Sequence, residues 1–525
     1  MMSMTAGRRC LVLLGLAVLG LAAGGADLRL VDAAKNGDGG ALRVLLEQGA
    51  EVNAPEADGT TALHWAAYWD DGDSADLLIR AGAQVNAAND LGATPLWAAC
   101  ENGSAAMVQR LLQAGADPNA ALLSGETPLM TAARAGNANV VRQLLAKGAD
   151  TKANEHAHGQ TALMWAVAQH HADVVEVLLA HGAEVHARTH AWTQVVKTSS
   201  DVMNPAYITD IQQGGYTPLL FAARVGALAS AKLLVAAGAD VNDTAPYGTS
   251  ALVVAAHSGH GELAAFLLEK GADPDAALAG YTALHAAVLY KDEKLVGALL
   301  THGADPNAPV LKSTPTRRDS IDFYLNPGLV GASPFWLAAR FRTPQIMRLL
   351  AEHGADPLFV HDPTYFAGEL YGARKLVHEG DTTALMAAAG MGGEAPPVAV
   401  DRLARIAEGA PVAAQRREPD PVELEAMTLE AVKVAAELGV DVNAANADGN
   451  TALHSVAARG YNTVVQFLVE KGARLDVKNK KGQTPLASAM AGSMAASTNP
   501  GRFGRGASGP RKSTVDLLQK LGASE

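Results

Sequence analysis

Histidines are the residues of this sequence whose density first suggests chemistry. Seven of the sixteen lie between His156 and His190, and imidazoles at that density could hold zinc or nickel. The candidate metal ligands are His156, His158, His186 and His190. Their spacing matches no standard metal site. A small-ligand or metal binder that uses residues 156–190 is therefore the alternative function rather than the leading one.

A glycine-rich stretch near the end of the chain formally matches a dinucleotide-binding fingerprint. It runs from Gly504 to Gly509, but such a fingerprint works only between a strand and a helix. Pro500 precedes it and Pro510 comes directly after it, so we interpret the stretch as a linker. The sequence also contains no nucleophile elbow, no zinc-protease helix motif and no paired acid signature. We therefore expect no catalytic residues, no cofactor and no enzymatic activity.

Charge and cysteine content argue against further classes of function. The formal net charge is −12, which disfavours a nucleic-acid binder because phosphate neutralisation needs a basic face. Cys10 and Cys100 are the only cysteines, so we expect neither a disulfide framework nor a cysteine-based metal site. Aromatic residues make up 5% of the chain, which predicts a core built from Ala, Leu and Val.

The N-terminal segment has the features of an export signal. Arg8 and Arg9 precede an apolar run from Leu11 to Ala23, and small residues come after it. Residues 1–26 are accordingly predicted to be a signal peptide, with the mature chain starting at Asp27. The apolar run is short for a membrane span, which needs roughly 20 residues. We expect a periplasmic or secreted bacterial protein. Anchoring in the inner membrane by an uncleaved N-terminal segment is the alternative.

An internal repeat dominates the rest of the chain. Each unit opens on Thr or Ser, then Ala or Pro, then a large apolar residue, and regular neighbours lie about 33 residues apart. Each unit closes on a phrase such as Leu144-Leu145 followed by Gly148-Ala149-Asp150. The openings begin at Thr61, Thr94, Thr127, Thr161, Thr217, Ser250, Thr282, Ser333, Thr383, Thr451 and Thr484.

These phrases resemble the ankyrin repeat, and the resemblance covers nearly all of residues 27–525. With a first half-unit at residues 28–53, we count about twelve repeats. The resemblance implies an all-α repeat solenoid, made of helix-turn-helix units with β-hairpin fingers and a concave face. It also implies a non-catalytic scaffold or adaptor that binds another protein. We expect a monomer that binds no nucleic acid and has no membrane span once the signal is removed.

Local chemistry supports this architecture in the unit that opens at Thr127. Thr127 can accept a hydrogen bond at a helix N-terminus, and Pro128 suits the first helical turn. Gly136 predicts the end of this helix because glycine tolerates a positive φ. The predicted buried face of the second helix consists of Val140, Val141, Leu144 and Leu145. Two such short helices cannot bury these faces alone, so each unit must stack on its neighbours.

Five insertions interrupt the period. Three come after a Gly-Ala-Asp or Gly-Ala-Glu phrase, at the position of a finger, and cover residues 187–214, 308–330 and 359–380. Residues 391–421 and 491–510 instead divide a repeat between its two helices, and their Pro, Gly and Ser content is typical of linkers. Insertions on one face of a repeat array commonly mark the binding face.

The three finger insertions are enriched in aromatic residues, which protein-binding hot spots favour. The candidate partner-binding residues are Trp192, Tyr207, Arg317, Arg318, Phe323, Tyr324, Phe359, Tyr365 and Phe366. The alternative is that these rings only fasten each long loop onto the stack.

Four tryptophans recur at fixed positions of the repeat. Trp65 and Trp165 share one position, and Trp97 and Trp336 share the neighbouring one. They either pack between repeats or lie exposed on the concave face.

Six histidines also recur at fixed positions. By the resemblance, an imidazole at the repeat opening hydrogen-bonds locally, as expected for His64, His285 and His454. A helix C-terminus favours positive character. The histidines that precede a Gly-Ala phrase at such an end are His181, His302 and His353.

Overall fold

The computed structural model describes residues 27–197, 208–246, 248–312, 327–362, 380–392, 420–491 and 511–524. Tyr207, Arg317, Arg318, Phe323, Tyr324, Tyr365 and Phe366 lie outside these ranges. The chain divides into two compact units. Unit 1 consists of Met1–Ala191, Gly214–Ala222 and Ala229–Asp240, and unit 2 of Trp192–Gln213, Ala223–Leu228 and Val241–Glu525.

The local elements are pairs of short helices, as predicted. In the pair that opens at Thr127, the threonine hydroxyl accepts a hydrogen bond from the backbone N–H of Met130, and Pro128 begins the helix. Gly136 ends it with a φ of 79°. These three residues therefore act as the sequence analysis predicts.

The second helix of this pair corrects one detail of the predicted buried face. Val140, Val141 and Leu144 are fully buried, whereas Leu145 is only half-buried. Successive residues of a helix are rotated by about 100°. Leu145 is therefore turned away from the face that Leu144 buries, and the prediction for Leu145 was wrong.

In unit 1, the first helices of successive repeats pack on one another in chain order, and so do the second helices. The first helices are α1 (Arg29–Lys35), α3 (Ala62–Tyr68), α5 (Pro95–Glu101), α7 (Pro128–Ala135) and α9 (Ala162–Ala168). The second helices are α2 (Gly39–Glu47), α4 (Gly72–Arg80), α6 (Ala105–Gln113), α8 (Ala138–Ala146) and α10 (Ala172–Ala180). Residues of α11 (Pro218–Val225) and α12 (Leu228–Ala236) fall in both units.

Unit 2 has the same two rows of helices. The first helices are α13 (Ala251–His257), α15 (Ala283–Tyr290), α17 (Pro334–Arg340), α19 (Ala384–Ala388), α21 (Ala452–Arg459) and α23 (Pro485–Ala491). The second helices are α14 (Gly261–Glu269), α16 (Glu293–Thr301), α18 (Pro344–Glu352), α20 (Pro421–Glu437), α22 (Asn462–Glu470) and α24 (Lys512–Lys520). The described part of the chain is thus an all-α repeat fold.

In six of the repeats, an asparagine just before the finger joins the repeat to the next one. The Asn53 side chain donates to the carbonyl of Gly82 (3.2 Å) and accepts from the backbone N–H of Gln84 (2.7 Å). The same two-sided bond recurs at Asn86, Asn119, Asn242, Asn307 and Asn443. A single side chain therefore satisfies backbone groups at the end of the next repeat's second helix, which would otherwise lack partners.

Strands occur where the sequence inserts residues at the finger position. Strands β1 (Ala191–Lys197) and β2 (Ile208–Gly214) pair in one sheet. Strand β3 (Val360–His361) pairs antiparallel with β4 (Thr382–Thr383). The described ends of two finger insertions are therefore held together by strand pairing.

The segment 391–421 divides a repeat between α19 and α20, and its first two residues pack against the fold. Met391 is buried, and the carbonyl of Gly392 accepts a hydrogen bond from the Arg340 guanidinium (3.0 Å). Residues 393–419 lie outside the described residues. At the other end, Asp420 caps α20, which begins at Pro421.

Candidate interaction surface

An aromatic cluster lies on α3, in unit 1. Trp65, Tyr68 and Trp69 are three and four residues apart, a spacing that places side chains on one helix face. The rings of Trp65 and Tyr68 meet edge to face with centroids 5.9 Å apart, and those of Tyr68 and Trp69 are 4.9 Å apart. Trp65 is buried, but Tyr68 is 38% exposed and Trp69 is 55% exposed. The cluster therefore has a buried base and an open aromatic edge.

Polar contacts fix this cluster in place. The Glu56 carboxylate accepts a hydrogen bond from the Trp65 indole N–H and forms an ion pair with Lys35, each at 2.8 Å. The Lys35 ammonium lies 4.7 Å from the centroid of the Trp65 ring, within cation–π range. The Trp69 indole N–H donates to the Lys35 carbonyl (3.0 Å). These rings are held in one arrangement, so a partner that covers them would lose little entropy in ordering them.

A second group of charges continues this face across α5 and α7. Arg134 forms ion pairs with Glu101 (2.5 Å) and Glu126 (3.4 Å), and it lies 5.5 Å from the Trp165 ring centroid. Tyr68, Glu101 and Arg134 each stand seven residues after their repeat's opening Thr. Tyr68, Trp69, Glu101 and Arg134 form what we call the first-helix face.

On α17, in unit 2, the same repeat positions are buried. On α17, Arg340 and Phe341 stand seven and eight residues after Ser333, as Tyr68 and Trp69 do after Thr61, yet both are buried. Trp336 is fully buried, donates to the Thr382 carbonyl (3.0 Å) and lies 4.3 Å from the His361 ring. A Cβ at Gly392 would stand 2.7 Å from the Trp336 ring, so glycine permits this close approach.

The four repeating tryptophans pack rather than project. Trp65 and Trp336 are buried, and Trp97 and Trp165 are half-buried. Trp69, which is not among the sequence-predicted site residues, has an exposed indole. Aligning the repeats on their opening Thr and comparing the seventh and eighth residues after it would have identified it, because these positions face out of the first-helix row in unit 1.

The finger candidates that the structure describes differ in exposure. Trp192, on β1, is 42% exposed, and Val195 on the same strand is also exposed. Phe359 is half-buried beside β3. The other predicted partner-binding residues lie outside the described residues, so their role stays a prediction.

The candidate metal ligands are distributed along successive fingers. His156 donates its backbone N–H to the Ser124 carbonyl (2.8 Å), and His190 donates to the His158 carbonyl (2.7 Å). A Cβ at Gly125 would meet the His156 ring, and one at Gly159 would meet the His190 ring. His186 is exposed at the repeat position that Asn53 occupies. The described residues contain no group of three His, Cys, Asp or Glu side chains placed to hold a metal ion.

Six other histidines hold helix ends. The rings of His64, His285 and His454 complete capping boxes with the opening Thr, as the resemblance implies. Ring nitrogens bond the carbonyl four residues earlier, at distances of 2.8 Å, in His181, His302 and His353. Both groups are therefore accounted for by the repeat.

Glu155 is a buried carboxylate with a structural role. Its buried side chain accepts backbone N–H groups from Ala157, His158 and Gln160. Burial raises its pKa, but these hydrogen bonds lower it more, so the pKa lies below its ordinary value. In other fingers the Asn89 and Asn446 side chains hold the turn in this way.

The fold and this surface define a class of protein: a stack of capped helix pairs whose exposed first-helix positions vary from repeat to repeat. Family comparison gives the same answer, since a model described as ankyrin repeats (3 copies) matches residues 30–122, 119–189, 219–310 and 424–496. These ranges cover more than half of the chain. The chain belongs to the ankyrin-repeat family.

Two curated relatives share part of this sequence. Serine/threonine-protein kinase 12 of Arabidopsis thaliana is 37% identical over 62 residues, which are 12% of this chain and 14% of that protein. Ankyrin repeat and SAM domain-containing protein 6 of Rattus norvegicus is 37% identical over 101 residues, 19% of this chain and 11% of that protein. The matched part thus spans a small fraction of either relative's length.

Proposed function

We propose that this chain is a non-catalytic scaffold that binds a protein partner through the first-helix face of unit 1. The observation that carries the proposal is the exposed pair Tyr68 and Trp69, held in place by Lys35 and Glu56. Aromatic side chains bury a large area and lose few rotamers, and hot spots are enriched in them and in Arg. Arg134 lies in the same row of helices.

The finger insertions supply a second contact region in this proposal. Trp192 and Val195 are exposed on β1, which supports a binding role for that insertion. Arg317, Arg318, Phe323 and Tyr324 belong to the same proposal on their sequence alone. The partner would be a protein, because these groups suit apolar and hydrogen-bonding contacts.

The test compares two exposed apolar positions of unit 1. The full chain is immobilised, and captured proteins from the source organism's extract are purified and titrated calorimetrically. Tyr68→Ala combined with Trp69→Ala should weaken the binding of a true partner by more than about 2 kcal/mol. Val44→Ala is the control, since Val44 is 50% exposed but lies on the second helix α2. Circular dichroism checks that both variants are folded.

The outcomes separate the two contact regions. Equal binding by the wild type and the α3 double variant would refute the first-helix face as the site. The fingers are then tested by Phe323→Ala with Tyr324→Ala, for which we also expect a loss above about 2 kcal/mol. If neither double variant changes the affinity of any captured protein, the scaffold proposal fails.

We also propose that this scaffold acts in the bacterial envelope after removal of residues 1–26. The support is the sequence of Arg8 and Arg9 followed by a short apolar run. Among the described helices, none has both the length and the apolar content to span a membrane. N-terminal sequencing of protein made in a bacterial host should give a start near Asp27. An intact Met1 in a cytosolic fraction would contradict export.

A further inference from the structure

The end of the chain reverses the charge of the rest. Residues 459–525 carry eleven Lys and Arg against four Asp and Glu, although the whole chain carries 42 against 54. Such an asymmetry in an acidic protein points to a local anionic partner. Six of the basic side chains, which we call the basic patch, are exposed on the last fingers and helix ends of unit 2: Lys471, Arg474, Lys478, Lys480, Lys481 and Lys520.

The topology brings these six residues to one edge. Lys471 and Arg474 come after α22, Lys478 to Lys481 lie on the finger between α22 and α23, and Lys520 ends α24, which packs on α22. None of the six forms an ion pair with a residue that the structure describes. Within the described part of the chain, no ion pair therefore neutralises these charges, and Asp476 is the acidic residue on the same finger.

Hydrogen bonds hold the backbone of the finger that carries the patch. The Asn479 side chain accepts hydrogen bonds from the backbone N–H groups of Lys481 (3.0 Å) and Gln483 (2.9 Å). The backbone N–H of Arg474 donates to Asn443 (2.8 Å), and that of Lys480 to the Asp448 carbonyl (2.9 Å). Four lysine and arginine side chains thus extend from a backbone fixed by the preceding repeat.

The residue types favour one class of anion. Five of the six residues are Lys, a mobile point charge, whereas recognition of a single carboxylate or phosphate favours the planar fork of Arg. Lys is also depleted at protein–protein interfaces. Single-stranded nucleic acid needs exposed aromatic platforms. The described residues beyond Val422 contain no exposed large apolar side chain. The Phe467 ring beside Lys471 is half-buried. A broad anionic lipid surface therefore fits this Lys-rich patch best.

We propose that the basic patch docks the last repeats of this protein onto an anionic phospholipid surface. The contact is peripheral and electrostatic, because no exposed large apolar group accompanies the charges in the described part of these repeats. Clusters of four to eight Lys and Arg are sufficient for such binding, which fades beyond a Debye length. The proposal is independent of the protein-binding role of unit 1.

The test is co-sedimentation of the full chain with vesicles. Neutral phosphatidylcholine vesicles give the baseline. Any binding by the apolar segment 11–23 is included in this baseline. Vesicles with about 30% phosphatidylglycerol should bind at least about tenfold more protein in about 50 mM salt, and about 500 mM salt should abolish the excess. Replacing Lys478, Lys480 and Lys481 together by Gln should lower the excess partition at least about thirtyfold.

The control removes the same charge elsewhere. Lys147, Lys270 and Lys294 are exposed on three separate repeats, and their combined replacement by Gln should change partition less than about threefold. Equal losses in the two triple variants would show that net charge, not the patch, governs binding. Equal wild-type binding to neutral and anionic vesicles would overturn the proposal. So would binding to short duplex DNA without binding to anionic vesicles, because the patch would then be a nucleic-acid site.

Discussion

Helices α3 and α17 both carry large side chains seven and eight residues after the repeat opening, but only α3 leaves them exposed. On α3, Tyr68 and Trp69 are exposed beyond a buried Trp65. On α17, the equivalent positions are occupied by Arg340 and Phe341, and both are buried. The difference arises from the chain itself, since Gly392 and strand β4 lie against α17.

This contrast shows what covering the first-helix positions requires. On α17 the cover supplies a carbonyl for the Trp336 indole, another for the Arg340 guanidinium, and a glycine for close approach. A protein that binds α3 would need a similar combination of apolar contact and backbone acceptors. One region is therefore an interface already filled, and the other is an interface left open.

The largest effect on stability is expected from a substitution that breaks the filled interface on α17. Trp336→Ala should lower the free energy of unfolding by about 3–5 kcal/mol, because it removes a fully buried indole and leaves a cavity. Urea denaturation followed by circular dichroism measures the change. Trp336→Phe, which refills much of the space, is the control and should cost clearly less. A loss below about 1 kcal/mol would mean that α17 is not covered.

The next effect concerns the buried cap of α15. Burial lowers the pKa of His285 to about 4, against the opposing effect of the Ala308 carbonyl. In the unfolded chain, His285 therefore binds a proton below about pH 6.5. In the folded chain, it stays neutral until the pH falls to about 4. Stability is full above pH 6.5 and falls by about 3 kcal/mol as the pH is lowered across this window.

His285→Gln should flatten that dependence, because Gln keeps a capping-box acceptor and does not titrate. Denaturation curves between pH 7 and pH 4.5 provide the measurement. His64→Gln in the open repeat is the comparison, and burial lowers the pKa of His64 in the same direction. An unchanged pH profile for His285→Gln would show that folding does not lower the pKa of His285.

A smaller effect on stability is expected to differ between two arginines at the same repeat position. Arg340 is buried and donates to the Gly392 carbonyl, so Arg340→Ala should cost about 1–3 kcal/mol. Arg134 is 42% exposed and its ion pairs are screened by solvent, so Arg134→Ala should cost less than about 1 kcal/mol. Equal costs, measured by urea denaturation, would contradict the contrast between open and covered faces.

The smallest effect is expected at Trp69. Because its ring is 55% exposed, Trp69→Ala should change the free energy of unfolding by less than about 1 kcal/mol, mostly through the lost bond to the Lys35 carbonyl. The same change is expected to weaken partner binding strongly. A large loss of stability would place Trp69 in the core and remove it from the proposed site.

The repeat and its caps could be predicted from the sequence because their signals are local. Thr127, Pro128 and Gly136 each specify a backbone state within one or two turns. The sequence pattern does not show which of two adjacent leucines is buried. Leu144 and Leu145 look alike in the pattern, but Leu145 is only half-buried because it faces different neighbours.

The candidate surface was harder to predict because exposure depends on distant segments. Tyr68 and Phe341 are aromatic residues at neighbouring repeat positions, and only the strand and loop packed on α17 distinguish them. The role of Glu155 was also missed. This Glu holds the turn of its finger, whereas in other fingers an Asn does so. Aligning the repeats points to these positions, but it does not show which of them a distant segment covers or which side chain holds a turn.

The asparagine bond between repeats has a consequence for how this protein can be altered. Asn307 reaches the Gly354 carbonyl and the Asp356 N–H at the usual distances, although residues 308–330 intervene. The ends of that insertion are tied to each other, because the backbone N–H of Val310 donates to the Ala332 carbonyl (3.0 Å). The bond between the repeats therefore forms in spite of the inserted residues. A foreign peptide of another length could be grafted there and displayed without redesigning the scaffold beneath it.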